Sequence, residues 1–73
     1  MTITVTFKNK NDKPKILSNV LSMQVGPSVS SPRYVGNDIK TSIIPSDKDI
    51  FVTYEEGTCA IAKNIFQFIE ITD

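Results

Sequence analysis

The sequence predicts an all-β protein: a small antiparallel barrel or sandwich of five to six strands, in a single domain over residues 1–73. Three observations point there. Isoleucine and valine total sixteen and threonine adds seven, whereas leucine and alanine together total four. Branched side chains are stiff at χ1 and suit a pleated surface, so this balance favours strands over helices. Apolar residues also alternate with polar ones at period two, most clearly in the first seven residues. Short clusters of Asn, Asp, Gly and Pro separate these runs, as turns do.

Ile3, Val5 and Phe7 alternate with Thr2, Thr4 and Thr6, which predicts a first strand with one buried face. Residues 8–14, Lys-Asn-Lys-Asn-Asp-Lys-Pro, form a polar turn closed by Pro14. A second strand is expected from Lys15 to Val25, stopped by Gly26 and Pro27. Prolines and serines make residues 26–37 a long loop, with a short extended piece near Arg33-Tyr34-Val35. A third strand is expected over Ile39–Ile44, ending at Pro45. After the Ser46–Asp49 turn, Ile50–Tyr54 forms a strand with Ile50, Val52 and Tyr54 on one face. Glu55-Glu56-Gly57 is a tight connection in which Gly57 supplies a positive φ. Thr58–Ala62 returns and Ile65–Ile71 closes the sheet, although Ile61, Ile65, Phe68 and Ile69 also fit a helical spacing.

The chain repeats a pattern. Val5-Thr6-Phe7, a turn, Ile16 and Asn19-Val20 correspond to Val52-Thr53-Tyr54, a turn, Ile61 and Asn64-Ile65. Two hairpins, each leading into a further strand, are the simplest expectation, and two copies imply a duplicated unit. The residues of this pattern, Val5–Lys10, Asn19-Val20, Val52–Gly57 and Asn64-Ile65, cover about half the chain. They resemble a loose group of small uncharacterised β proteins encoded by phages, prophages and plasmids of Gram-positive bacteria. The resemblance implies an accessory, host-takeover or anti-defence role exercised by binding, and supplies no active-site residues.

Composition narrows the chemistry. With 40% hydrophobic and 22% charged residues the chain suits a folded domain. There is no His, no Trp and a single Cys, so a His base, a His-ligated zinc and an internal disulfide are excluded. Cys59 sits among Thr58, Ala60 and Ile61 and is expected to act as a small hydrophobe. The three glycines, at 26, 36 and 57, form no phosphate-cradling pattern. Asp47 and Asp49 lack the spacing of a calcium loop, Glu55 and Glu56 sit at a wet hairpin tip, and Ser28, Ser30 and Ser31 have no base. The expectation is a protein that is not an enzyme and needs no cofactor or metal. No apolar run reaches a membrane span, the start lacks the pattern of a secretory leader, and a lone Cys fits the cytoplasm.

Charge is polarised along the chain. Residues 1–40 carry six basic groups and two acids, and residues 41–73 two basic groups and six acids, for a net charge of zero. Lys8, Lys10, Lys13 and Lys15 surround the first turn. They are candidates for contacting phosphates of nucleic acid or nucleotide, for pairing with Glu55-Glu56, or for solvating a hairpin tip. The loop with the only arginine offers a second candidate surface, Arg33, Tyr34, Asn37 and Asp38, because Arg and Tyr concentrate binding energy. The last strand is apolar on both faces, with Phe66 and Phe68 expected to point away from Ile65, Ile69 and Ile71. Phe66 and Phe68 are therefore candidates for a subunit interface, most simply of a homodimer. The leading expectation is a protein that binds a host protein or itself. Nucleic-acid binding through the lysines and small-ligand sequestration by an oligomer are the alternatives.

Overall fold

The computed structural model describes all of residues 1–73 and contains seven strands: β1 (Thr2–Phe7), β2 (Lys15–Leu17), β3 (Ser22–Val25), β4 (Arg33–Val35), β5 (Ile50–Tyr54), β6 (Gly57–Ile61) and β7 (Phe66–Thr72). The only helical element is a 3-10 turn, Gly36–Ile39. The strands form two antiparallel sheets, of order β2-β1-β7 and β4-β3-β5-β6. Each hairpin is completed by the strand that follows the other hairpin: β7 joins β1, and β3 joins β5.

The pleat explains which residues enter the core. In β1 the threonines stay half-exposed while Ile3 and Val5 are fully buried. Leu17 faces Ile3 across the ladder; Ile50 and Val52 face Val25 and Met23. These side chains join Val20, Ile39, Ile61 and Phe66 in one cluster of 11 buried residues drawn from both sheets. Tyr54, Cys59, Ile69 and Ile71 pack against it from the rim.

The expected strand over Lys15–Val25 is instead two strands in different sheets. Between them Asn19 adopts φ 53°, and between β6 and β7 Asn64 adopts φ 64°. These are the two non-glycine residues with positive φ, a conformation that asparagine tolerates better than branched residues do. Each turns the chain out of its hairpin toward the other sheet. Leu21 N–H then donates to the Thr53 carbonyl at 2.8 Å, which aligns β3 beside β5.

The strand expected over Ile39–Ile44 does not form. Gly36, with φ 55°, leads into the 3-10 turn, and Ile39 is buried at its end. The Thr41 hydroxyl donates to the Asp38 carbonyl and the Ser42 hydroxyl to the Ile39 carbonyl, at 3.3 and 2.6 Å. Such local bonds hold the backbone in turns and compete with a ladder. Ile43 is left exposed and Ile44 half-buried.

β7 also departs from simple alternation. Phe7 pairs with Phe66 and Thr6 with Phe68, so Gln67 is an extra residue, a β-bulge. The bulge turns Phe66 inward, where only 3% of it is exposed, onto the same side as Ile69 and Ile71. Phe68 points out and is 52% exposed. Phe66 and Phe68 therefore do not share an outer face, and Phe66, expected to be exposed beside Phe68, is a core residue instead. Burying Phe66 contributes about 1.5–3 kcal/mol to a small core.

Candidate functional site

The outer face of the four-stranded sheet collects residues whose neighbours along each strand are core. Ser22 and Gln24 flank Met23, Phe51 and Thr53 flank Val52, and Arg33 precedes Tyr34. Pairing sets them in rows. Val35, Ser22, Thr53 and Thr58 form one row, and Arg33, Gln24, Phe51 and Ala60 the next. Ser22, Thr53 and Thr58 of the first row, Arg33, Gln24 and Phe51 of the second, and Pro27 frame an open groove of about 280 Å³.

Hydrogen bonds fix its walls. Arg33 Nη2 donates to Ser22 Oγ at 3.2 Å, which draws the guanidinium across β3. Gln24 Nε2 donates to the carbonyls of Gly26 and Ser28, at 2.8 and 3.3 Å, and ties the 26–32 loop to the sheet. The Thr53 and Thr58 hydroxyls meet at 3.4 Å. No acid lines the groove. The molecule's single ion pair, Lys40–Asp73, lies elsewhere, so Arg33 has no carboxylate partner. A guanidinium has five N–H donors in a planar fork, and most of Arg33's remain for a carboxylate or phosphate. Phe51, across Gln24 from Arg33, adds a half-exposed aromatic surface to the same groove.

Of the residues expected around Arg33, Tyr34 lies on the opposite side of β4 and packs against the core. Successive residues of a strand face opposite ways, so Arg33 and Tyr34 do not form one surface. Asn37 and Asp38 are exposed in the 3-10 turn, outside the groove. Their carbonyls serve the turn itself, accepting from Lys40 N–H and the Thr41 hydroxyl. Ser22, Gln24, Phe51, Thr53 and Thr58 escaped the sequence reading. The available signal was their parity relative to Met23, Val25, Ile50 and Val52, but only the strand order brings them together.

Lys8, Lys10, Lys13 and Lys15 are all exposed around the β1–β2 connection, and none meets a carboxylate. Asn9 shapes that turn by accepting Asn11 N–H at its side chain and Asp12 N–H at its carbonyl. Asn19 Nδ2 donates to the Glu55 carboxylate at 2.5 Å, and within the chain no lysine of the first turn pairs with Glu55 or Glu56. Asp49 is a structural acceptor: its carboxylate takes Lys63 N–H at 2.8 Å and its carbonyl takes Gly26 N–H at 2.8 Å. No group of three or more Cys, Asp or Glu residues that could hold a metal is present. No helix is long and apolar enough to cross a membrane.

Fold and surface together define an all-β protein with an exposed, grooved sheet face built around an uncompensated arginine. Comparison with known proteins found no matching family model, no similar curated protein and no similar solved structure.

Proposed function

We propose that this chain is a non-enzymatic binding protein, a phage-type accessory factor that occupies the surface of a host protein. The outer face of the four-stranded sheet is its contact surface. The observation that carries this is Arg33, held by Ser22 across an open groove with no acid in its walls. Arginine and aromatic residues supply much of the energy of protein interfaces, and Arg33 and Phe51 line the same groove on either side of Gln24. The partner presents a carboxylate to the guanidinium and apolar surface to the ring. On the same reading the two sheets form a small sandwich, and the two hairpin-plus-strand halves are copies of one unit. The test is capture from a Gram-positive host lysate by immobilised wild-type and Arg33→Glu proteins, with folding checked by circular dichroism. A protein retained by the wild type should be lost from the variant, and equal retention by a folded variant rejects the surface.

A second reading, phosphate binding through Lys8, Lys10, Lys13 and Lys15, is favoured by one observation: all four are exposed and unpaired. Four contacts to duplex phosphates would give a slope of about −3.6 in log K against log salt. Retardation of oligonucleotides that weakens accordingly between about 50 and 200 mM salt supports this reading, and no retardation at the lower salt removes it.

A further inference from the structure

The two sheets differ in one respect. β3, which completes the β5–β6 hairpin, is covered on its far edge by β4. β7, which completes the β1–β2 hairpin in the same manner, is paired with β1 alone. The correspondence is close in register. Met23 and Val25 face Val52 and Ile50, while Ile69 and Ile71 face Val5 and Ile3. The positions of β3 that β4 covers, Ser22, Met23 and Gln24, thus correspond to Phe68, Ile69 and Glu70 of β7.

The far edge of β7 is open for bonding. No backbone hydrogen bond outside the ladders reaches Phe66–Thr72, and no side-chain bond does either. In an antiparallel edge strand, alternate residues direct both N–H and C=O away from the neighbouring strand, so β7 presents a row of unpaired donors and acceptors. Beside it runs the 40–46 segment, tied at both ends to residues that flank β7. Lys40 pairs with Asp73, and Asn64 N–H donates to the Ser46 carbonyl at 2.8 Å. Between the two ties lies a groove of about 440 Å³, with Ile44, Phe66, Ile69 and Ile71 among its lining.

We propose that this groove receives an extended polypeptide segment, which adds to the β7 edge as an antiparallel strand in the way β4 adds to β3. Charge sets the chemistry of the occupant. The one charged residue lining the groove, Lys40, is held by Asp73, whereas Glu70, on β7 but outside the lining, is exposed and has no cation; the matching pair on the other sheet sets Arg33 opposite Gln24. The occupant therefore carries a basic residue opposite Glu70 and, by analogy with Tyr34 opposite Met23, an apolar or aromatic residue opposite Ile69. A second copy of β7 is the poorer fit, because the strand and its end carry Glu70 and Asp73 and no basic residue. This surface is distinct from the Arg33 face, and its failure leaves that reading untouched.

The probe is a synthetic peptide copying residues 30–36, titrated into the isotopically labelled full chain and followed by amide NMR. Saturable shift changes confined to β7 and the 40–46 segment are expected, with slowed exchange at alternate amides of β7. Glu70→Lys should weaken binding about fivefold, in keeping with one cross-strand charge pair. A peptide with Glu in place of its Arg should recover binding to that variant. N-methylation of the peptide at its Tyr or Val should abolish binding at one of the two positions, because it removes a ladder donor without touching the protein. Absence of saturable shifts, shifts centred on β3 and β4, or indifference to methylation at both positions would overturn the proposal. So would light scattering that shows the free chain already doubled with its β7 amides protected.

Discussion

At the scale of single residues, Gly26 holds the candidate surface in place. Its φ is 114°, outside the range side chains readily adopt, and an added Cβ would lie 2.5 Å from Ser31 Oγ. Its N–H donates to the Asp49 carbonyl and its own carbonyl accepts Gln24 Nε2, so the backbone cannot move aside without breaking both bonds. The 26–32 loop closes over it, with Val25 N–H bonded to the Pro32 carbonyl at 2.9 Å, and so delivers Arg33 to the edge of β3. Gly36 offers a matched contrast, since its φ is 55° and a Cβ there meets nothing within 4 Å. Gly36→Ala should cost about 1–2 kcal/mol, the left-handed penalty alone. Gly26→Ala should cost more, about 2–4 kcal/mol, because strain and collision combine. Urea denaturation of the two variants checks the order, and equal losses would show that Ser31 moves away freely.

At the scale of elements, what the sequence reveals depends on whether a segment's structure is set locally. β1 and the β5–β6 hairpin are legible, because strict alternation and a two-residue turn before Gly57 specify them without reference to the rest of the chain. The break between β2 and β3 is not legible from hydropathy, since apolar residues continue across it. Its signal is Asn19, matched by Asn64, and it acts through a backbone angle that hydropathy does not register. The sequence pattern shared by the two hairpins aligns on those asparagines, yet pairing departs from it: Ile3 faces Leu17 where Ile50 faces Ile61, so Leu17, and not the exposed Ile16, holds the place of Ile61. The bulge at Gln67 is invisible for a similar reason, because it is defined against β1. The candidate surface follows the same rule. Arg33 stands out as the single arginine, but its companions on β3, β5 and β6 become neighbours only through the strand order.

At the scale of the whole molecule, the charges that divide the sequence into a basic and an acidic half are mixed by the fold, because β7 from the acidic half joins β1 and β2 from the basic one. Among eight basic and eight acidic side chains the only ion pair is Lys40–Asp73, which ties the 40–46 segment to the end of β7. The Lys40 ammonium hydrogen-bonds to the Asp73 carboxylate and attracts it, holding it below the ordinary aspartate value. A carboxylate lowered in the folded state binds its proton more readily when unfolded. Its contribution to stability is therefore complete above the ordinary value of about 3.9 and is lost as pH falls through the lowered one. Asp73 is largely exposed, so solvent and salt keep that contribution small. Without a histidine, no side chain of ordinary pKa changes charge between about pH 5 and 8. The urea midpoint should accordingly stay level across that range and fall only in acid. Asp73→Asn should make the acid fall slightly shallower while leaving the neutral plateau close to that of the parent, and added salt should act in the same direction. A midpoint that changes between pH 6 and 8 would show that some other group is coupled to unfolding, whereas an acid limb identical in the variant at low salt would show that the Lys40–Asp73 tie contributes nothing to holding the 40–46 segment against the sheet.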